Sequence, residues 1–262
     1  MFVEPIIGYH NLLNDPTVTS IVADPAGNPA AAGFEIANVH DWLDHDFWKA
    51  TTAGVDAGFK LTLSGALTAD YFAVAAHDLF TQGATIQLQY WTGAAWADAV
   101  AAFGPADNGV RFKTFNSISA AQWRVLVSGA PTAAVSLGVV SFGNRLTIPA
   151  PVGLGFSPPN FAHADQILNN RANGGALLGR SVIGKGIDLD SISFDLLDPA
   201  WMRTNWIPFM EHATKYPFFF QWNDSDYNNE GALVWTSGPI SRPQYNQPKH
   251  MSARLDLVGR RD

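Results

Sequence analysis

YFAVAAHDLFTQGATIQLQYW, residues 71–91, joins two kinds of strand pattern. Its first part, YFAVAAHD, is almost uniformly apolar and suits a central strand. In its second part Ile86, Leu88 and Tyr90 alternate with Thr85, Gln87 and Gln89. A period of two puts one set of side chains into a core and the other outward. FKLTLSG repeats the alternation, with Phe59, Leu61 and Leu63 set against Lys60, Thr62 and Ser64. QWRVLVS does the same with Trp123, Val125 and Val127, and GVRFKTF alternates too. AAVSLGVVSFG is again uniformly apolar. Turn signals such as TGAAW, PADNG and SGAP separate these pieces. At least six short strands so spaced predict an antiparallel β-sandwich or jelly roll over residues 33–146.

The flanks read differently. Residues 1–32 hold one strand-like piece, SIVADPA, among turn residues, and are expected to form an arm or edge element. Residues 147–165, TIPAPVGLGFSPPNFAHAD, hold four Pro and two Gly and predict a linker, or a strap lying on a neighbour. Residues 166–262 read as α+β. GALLGRSVIGKGIDLDSISFDL, residues 175–196, is expected to form a hairpin. DPAWMRTNWIPFMEHATKY predicts one helix, with Asp198 as N-cap and Pro199 at the first helical position. Met202, Trp206, Phe209 or Met210, and Ala213 recur at helical spacing, and Pro208 interrupts the helix. PFFFQW, ALVWTS and HMSARLDLVG follow as strands. The fold class is therefore mainly β, with one helix.

Composition narrows the function. The chain has 262 residues, 47% of them hydrophobic and 15% charged, with nine Trp and 17 Phe. Low charge and many aromatics suit a surface partly covered by copies or partners. The net charge of −7 and the lack of a Lys/Arg run argue against nucleic-acid readout. Without cysteine there is no disulfide, thiol catalysis or Cys-bound zinc. MFVEPIIGYHNLL lacks a signal peptide's basic start and apolar core, and no run reaches membrane-span length. P-loop, GxGxxG, GxSxG and HExxH motifs are absent, so no enzyme, cofactor or metal is expected.

Four clusters invite chemistry. In HDWLDHDFWKA, residues 40–50, His40, Asp41, Asp44, His45 and Asp46 are of metal-ligand type, but in no recognised spacing. The expected reading is a turn whose Asp side chains serve backbone N–H groups while Trp42, Phe47 and Trp48 go inward. NDSDYNNEG, residues 223–231, has a calcium-loop look, but Trp235 stands where an EF-hand has its twelfth-position Glu, so a hairpin loop is expected. Asp188 and Asp190 share one strand face and form a carboxylate pair of the kind that cleaves glycosides; a plain solvent face is the simpler expectation. Finally, Trp91 and Trp96 flank the TGAA turn, where indole faces can stack on a sugar ring or simply on each other.

The order DFWKA, FKLTLSG, YFAVAAHDL, GATIQLQYW, AQWRVLVSG, VSLGVVSFGNRL resembles the discoidin-like or galactose-binding-like jelly rolls, with residues 73–86 the most specific part. The helix with Trp201 and Trp206, then YPFFFQW, the acidic loop, GALVWTSGPISRP and MSARLDLVGR, is similar to the β-sandwich-plus-helix domain of phage tail tubes and distal-tail proteins. Together the two resemble a minor tail or baseplate protein of a long-tailed phage. That resemblance implies a structural ring protein at the end of the tail tube, a hexamer or a trimer. It implies assembly in the host cytoplasm, residence in the virion, and contacts with the tail-tube protein and other tail-tip proteins. It places Trp201, Trp206, Phe218, Phe219 and Phe220 at subunit interfaces. The alternative it implies is a carbohydrate-binding module with Trp91 and Trp96 on a cell-surface saccharide. Distal-tail proteins usually carry the tube-like domain first. Here the order is reversed, unless the N-terminal residues complete that domain and the jelly roll is an insertion.

Overall fold

The structure, a computed structural model, describes residues 4–260. Residues 1–3 and 261–262, the ends of the first and last expected segments, lie outside the described residues. In chain order the strands are β1 (Ile6–Gly8), β2 (Val18–Ala23), β3 (Trp48–Lys49), β4 (Ala57–His77), β5 (Thr85–Trp91), β6 (Trp96–Phe103), β7 (Arg111–Ser128) and β8 (Ser136–Gly143). Then come β9 (Leu146–Thr147), β10 (Gln166–Arg171), β11 (Leu177–Gly184), β12 (Gly186–Leu197), β13 (Phe218–Gln221), β14 (Gly231–Thr236), β15 (Gln244–Gln247) and β16 (His250–Arg260). A short helix α1 spans Leu79–Gln82, and helix α2 covers residues 199–213. None of these helices is long and apolar enough to cross a membrane.

The jelly roll is built on two long strands that each serve both leaves. The first half of β4 pairs with β2 and with the second half of β7, which in turn carries β5 and β6. The second half of β4 pairs with the first half of β7 and with β8, which carries β3. Register shifts between Thr62 and Leu67 and between Ala69 and Tyr71 mark where β4 bends from one leaf to the other. The alternation in the sequence decides what lies between the leaves. Phe59, Leu61, Leu63, Ile86, Leu88, Trp123, Val125 and Val127 are all buried in one core with Trp48, Phe72 and Phe142.

The uniformly apolar runs have a different cause. Along β4, Phe72 and Val74 face that core, whereas Tyr71, Ala73 and Ala75 face a second cluster with Ile6, Trp42, Phe112, Val139, Phe219 and Leu233. The strand is apolar on both faces because a second lobe covers its outer face. Gly8 makes this approach possible: a Cβ there would lie 2.6 Å from the Tyr71 ring. The Tyr71 hydroxyl donates to the His10 carbonyl at 2.9 Å and pairs with Ser141 Oγ at 2.6 Å, so its buried oxygen is satisfied.

The second lobe is a sheet in the order β12-β16-β14-β13-β1-β9, with β15 on β16. β1 therefore completes the C-terminal sheet, between β13 and β9. The jelly roll leaves this sheet after Gly8 and returns to it at Leu146, as an insertion. The first 32 residues are thus divided: β1 belongs to this sheet, while Leu12, Leu13 and β2 belong to the jelly roll. Residues 147–165 form a strap on the chain's own second lobe, with Ile148, Ala150 and Ala162 buried there and the Gly153 N–H donating to the Ser193 carbonyl.

Three expectations are corrected, the third being the interruption of the helix at Pro208. The hairpin expected over 175–196 does not form, because β11 pairs back to β10 while β12 pairs with β16. The Phe218 to Phe220 run and Trp206 are not subunit-interface positions. All four are at most 1% exposed, so their side chains are already covered within this chain. Phe218 packs under helix α2 against Phe209, Phe220 meets Phe156 of the strap, and Phe219 packs against the jelly roll, which is why three consecutive Phe occur in one strand. Trp201 is half-buried beside Trp206.

Helix α2 follows its sequence signals. Asp198 caps it, accepting from the Ala200 and Trp201 N–H groups at 2.8 and 2.9 Å. Met202, Trp206, Phe209 and Ala213 form the buried stripe. Pro208 does not break the helix. A π-helical turn, Met202–Trp206, precedes the α-helical Ile207–Ala213 and absorbs the missing N–H.

Candidate functional site

The outward face of the five-stranded leaf β2-β4-β7-β5-β6 carries a row of polar and aromatic side chains that ends in the Trp91–Trp96 pair. Strand pairing places Val22, Lys60, Arg124, Gln89 and Asp98 in one cross-strand row. One step along, Trp91 on β5 lies directly opposite Trp96 on β6. Opposed residues of an antiparallel pair share a face, so both indoles project to the same side as Gln89 and Asp98. The connecting turn is tight, with Thr92 N–H donating to the Ala95 carbonyl at 3.0 Å and Gly93 at φ 96°.

The two rings meet edge to face, centroids 5.4 Å apart at 65°, and both are half-buried. The Arg124 guanidinium lies 4.6 Å from the centroid of Trp96, within cation–π range. Arg124 Nε donates to Gln89 Oε1 at 2.9 Å, and its Nη1 lies 3.4 Å from Asp24 Oδ2. Gln89 Nε2 donates to Asp98 Oδ1 at 2.7 Å. This Asp24–Arg124–Gln89–Asp98 chain contributes little to stability at the surface. What it does is hold Arg124 under Trp96 and set the orientation of that ring. Beyond Asp98 the face drops into a polar depression of about 540 Å³ with Thr114, Asn116 and Arg145 in its wall. Such an arrangement can stack on the C–H face of a ring and exchange hydrogen bonds with its hydroxyls.

No protein-family model and no curated protein matches the sequence. Solved structures do show likenesses to about half of the chain. A pectin-binding carbohydrate-binding module superposes with a TM-score of 0.37 at 13% identity, covering 48% of this chain and 89% of that one. Chitosan-binding module 1 of a chitosanase/glucanase from Paenibacillus sp. IK-5 gives a TM-score of 0.36 at 20% identity, over 51% of this chain and 98% of that one. A Ruminococcus gnavus GH29 fucosidase in complex with fucose gives 0.43 at 13% identity, over 52% of this chain and 27% of that one. The scores are low. The jelly roll is defined by its own strand pairings.

The other sequence clusters resolve as follows. In residues 40–50, Asp41 accepts from the Leu43 N–H at 2.8 Å, Asp46 from Asn38 at 3.0 Å, and Asp44 pairs with Arg260 at 3.1 Å. Trp48 is core and Trp42 is buried at the seam between the lobes, while Phe47 stacks on Phe34. In the loop after β13, Asn223 Oδ1 accepts from the Ser225 and Asp226 N–H groups, and Trp222 stacks on Tyr227 at 5.2 Å. Among the described residues no group of three His, Cys, Asp or Glu is placed to hold a metal ion. Asp188 and Asp190 are exposed on β12. A bulge puts Asp190 at φ 50°, and Asp188 Oδ1 accepts the Asp190 N–H at 2.9 Å.

The sequence reading found Trp91 and Trp96 but missed Arg124, Gln89 and Asp98. The signal was present. Arg124 is an outward position of QWRVLVS and Gln89 an outward position of TIQLQYW, but only the strand register makes them neighbours.

Proposed function

We propose that the chain is a carbohydrate-binding protein that holds a saccharide on the outer face of its jelly roll, with Trp91 and Trp96 as the stacking platform. Asp98, Gln89 and Arg124 supply hydrogen bonds beside it. The observation that carries this reading is the pair of half-buried indoles on one face, one of them fixed from below by a networked arginine. The open face suits internal residues of an extended polysaccharide better than a single chain end. The test is a glycan array followed by titration of the best hit. Trp91→Ala and Trp96→Ala are each expected to weaken binding by about tenfold or more, in line with the loss of a stacking ring. Equal binding by both variants, or no hit on a broad array, would remove the proposal.

A second reading, assembly into a ring at the end of a phage tail, rests on a different observation. Hairpin β10–β11 stands apart from both large sheets. Ile167, Leu168, Leu177, Leu178, Val182 and Ile183 on it are between 41% and 69% exposed. A two-stranded ribbon is marginal by itself in water, and one carrying this much exposed apolar surface needs a cover. Light scattering on the purified chain and on Ile167→Ser with Val182→Ser tests it. A ring that the double substitution dissolves supports this reading; a parent chain that stays monomeric at high concentration removes it.

A further inference from the structure

A cleft of about 810 Å³ opens where the residues after β1 and the segment before β3 meet the C-terminal end of helix α2. Both lobes build it: Tyr9, Asp15, His40 and Asp41 line one side, His212 and Tyr216 the other. Three aromatic rings surround the His212 imidazole, with centroids at 5.4 Å for Tyr9, 5.2 Å for Trp42 and 5.4 Å for Tyr216.

The hydrogen bonds fix what this cleft offers. His212 Nε2 faces the Pro217 carbonyl at 3.0 Å and must donate to it, so Nδ1 of the neutral ring is an acceptor. Asn14 Nδ2 donates to the His40 carbonyl at 2.8 Å, which makes its Oδ1 the acceptor for His40 Nδ1 at 2.7 Å. His40 Nε2 is then an acceptor as well. Asp15 uses Oδ1 on Thr17, and Asp41 uses Oδ1 on Leu43. Neither carboxylate has a Lys or Arg ion-pair partner among the described residues, and no Lys or Arg lines the cleft. Burial holds the His10, His40 and His212 imidazoles that line the cleft below their ordinary pKa, with Asp15 opposing the shift at His10 and Asp41 at His40, so the neutral form prevails in all three at neutral pH. The walls are therefore aromatic rings, neutral acceptors and two carboxylates without a partner cation.

We propose that this cleft binds a small ligand bearing an ammonium group, of about the size of an amino sugar. Asp15 and Asp41 take the charge, and the Tyr9 and Tyr216 rings pack on the ligand's body. An ammonium supplies three donors and no acceptor, which complements an acceptor-rich wall, and aromatic rings add attraction for a cation. The site shares no residue with the Trp91–Trp96 platform, so either can fail without the other.

Calorimetric titration with glucosamine, glucose and N-acetylglucosamine tests the proposal, because the three differ at C2 and only the first carries a free amine. Glucosamine is expected to bind at least about tenfold more tightly than the other two. Asp15→Asn and Asp41→Asn keep the Oδ1 acceptor that serves each turn, so their unfolding midpoints should hold while affinity falls. Tyr216→Ala, at a half-exposed ring, should weaken binding in the same way, whereas Trp91→Ala should not change it. No binding of glucosamine at millimolar concentration, equal binding of all three sugars, or undiminished affinity in both Asp variants would overturn the proposal.

Discussion

Acidification should unfold this chain earlier than its carboxylates alone require, and His77 is the reason. The imidazole is 6% exposed at the end of β4, with Nε2 donating to the Gly109 carbonyl at 3.0 Å and Nδ1 buried without a partner. Burial first, and the nearby Arg111 guanidinium second, push its pKa down to about 4 from an ordinary 6.5. The folded chain thus binds this proton less readily than the unfolded chain. Its contribution to stability is complete above pH 6.5 and is lost as pH falls from there to about 4. At about 1.4 kcal/mol per pH unit for one proton, the loss is about 2 kcal/mol between pH 7 and pH 5 and about 3 kcal/mol by pH 4. Denaturant unfolding of the parent and of His77→Gln across this range measures it. Gln keeps a donor for the Gly109 carbonyl but does not titrate. The variant should start less stable or equal at pH 7 and show a shallower decline. His10, His40 and His212, all shifted down by burial, leave a residual slope of the same sign. A parent with a flat profile from pH 7 to pH 5, or a variant with the parent's slope, refutes the reasoning.

Other consequences are simpler. Tyr71→Phe removes the hydroxyl between the His10 carbonyl and Ser141, leaving buried polar atoms unpaired; thermal unfolding should report a loss of about 1–3 kcal/mol. Asp198→Ala deletes both cap bonds of helix α2 and should lower stability by about 1 kcal/mol, with Asp198→Asn recovering most of it. Trp123→Ala, at a fully buried ring in contact with Tyr90 and Phe142, should lower stability by about 3–5 kcal/mol in the same assay; a change below 1 kcal/mol would contradict the core assignment.

The sandwich was legible because period-two alternation survives wherever one strand face meets water. Phe59, Leu61 and Leu63 or Trp123, Val125 and Val127 announce their own orientation. The helix was legible through Asp198, Pro199 and the Met202, Trp206, Phe209, Ala213 stripe. What stayed open was long-range: the jelly roll as an insertion was only one of two orders the sequence allowed, and the strand pairing of β1 shows that it holds. Nothing local says that Ile6 to Gly8 pairs with strands beginning at Leu146 and Phe218. Nor does anything local distinguish a Phe run packed between two lobes from one reserved for another subunit, since both read as three consecutive large apolar residues. The β10 strand, QILNNR, was missed because all six of its residues are exposed, so no core-facing period exists to find. At the candidate platform the aromatic pair was visible from its turn, but the polar row beside it comes from register across five strands. Register follows from pairing choices that residues far apart in the chain make together.

The most direct measurement is an NMR titration of the tryptophan indole N–H signals with the polysaccharide that the array selects. Among nine Trp residues, the signals of Trp91 and Trp96 should shift on binding, that of Trp96 together with the guanidinium signal of Arg124. Bound polysaccharide that leaves both indoles unmoved would contradict the account.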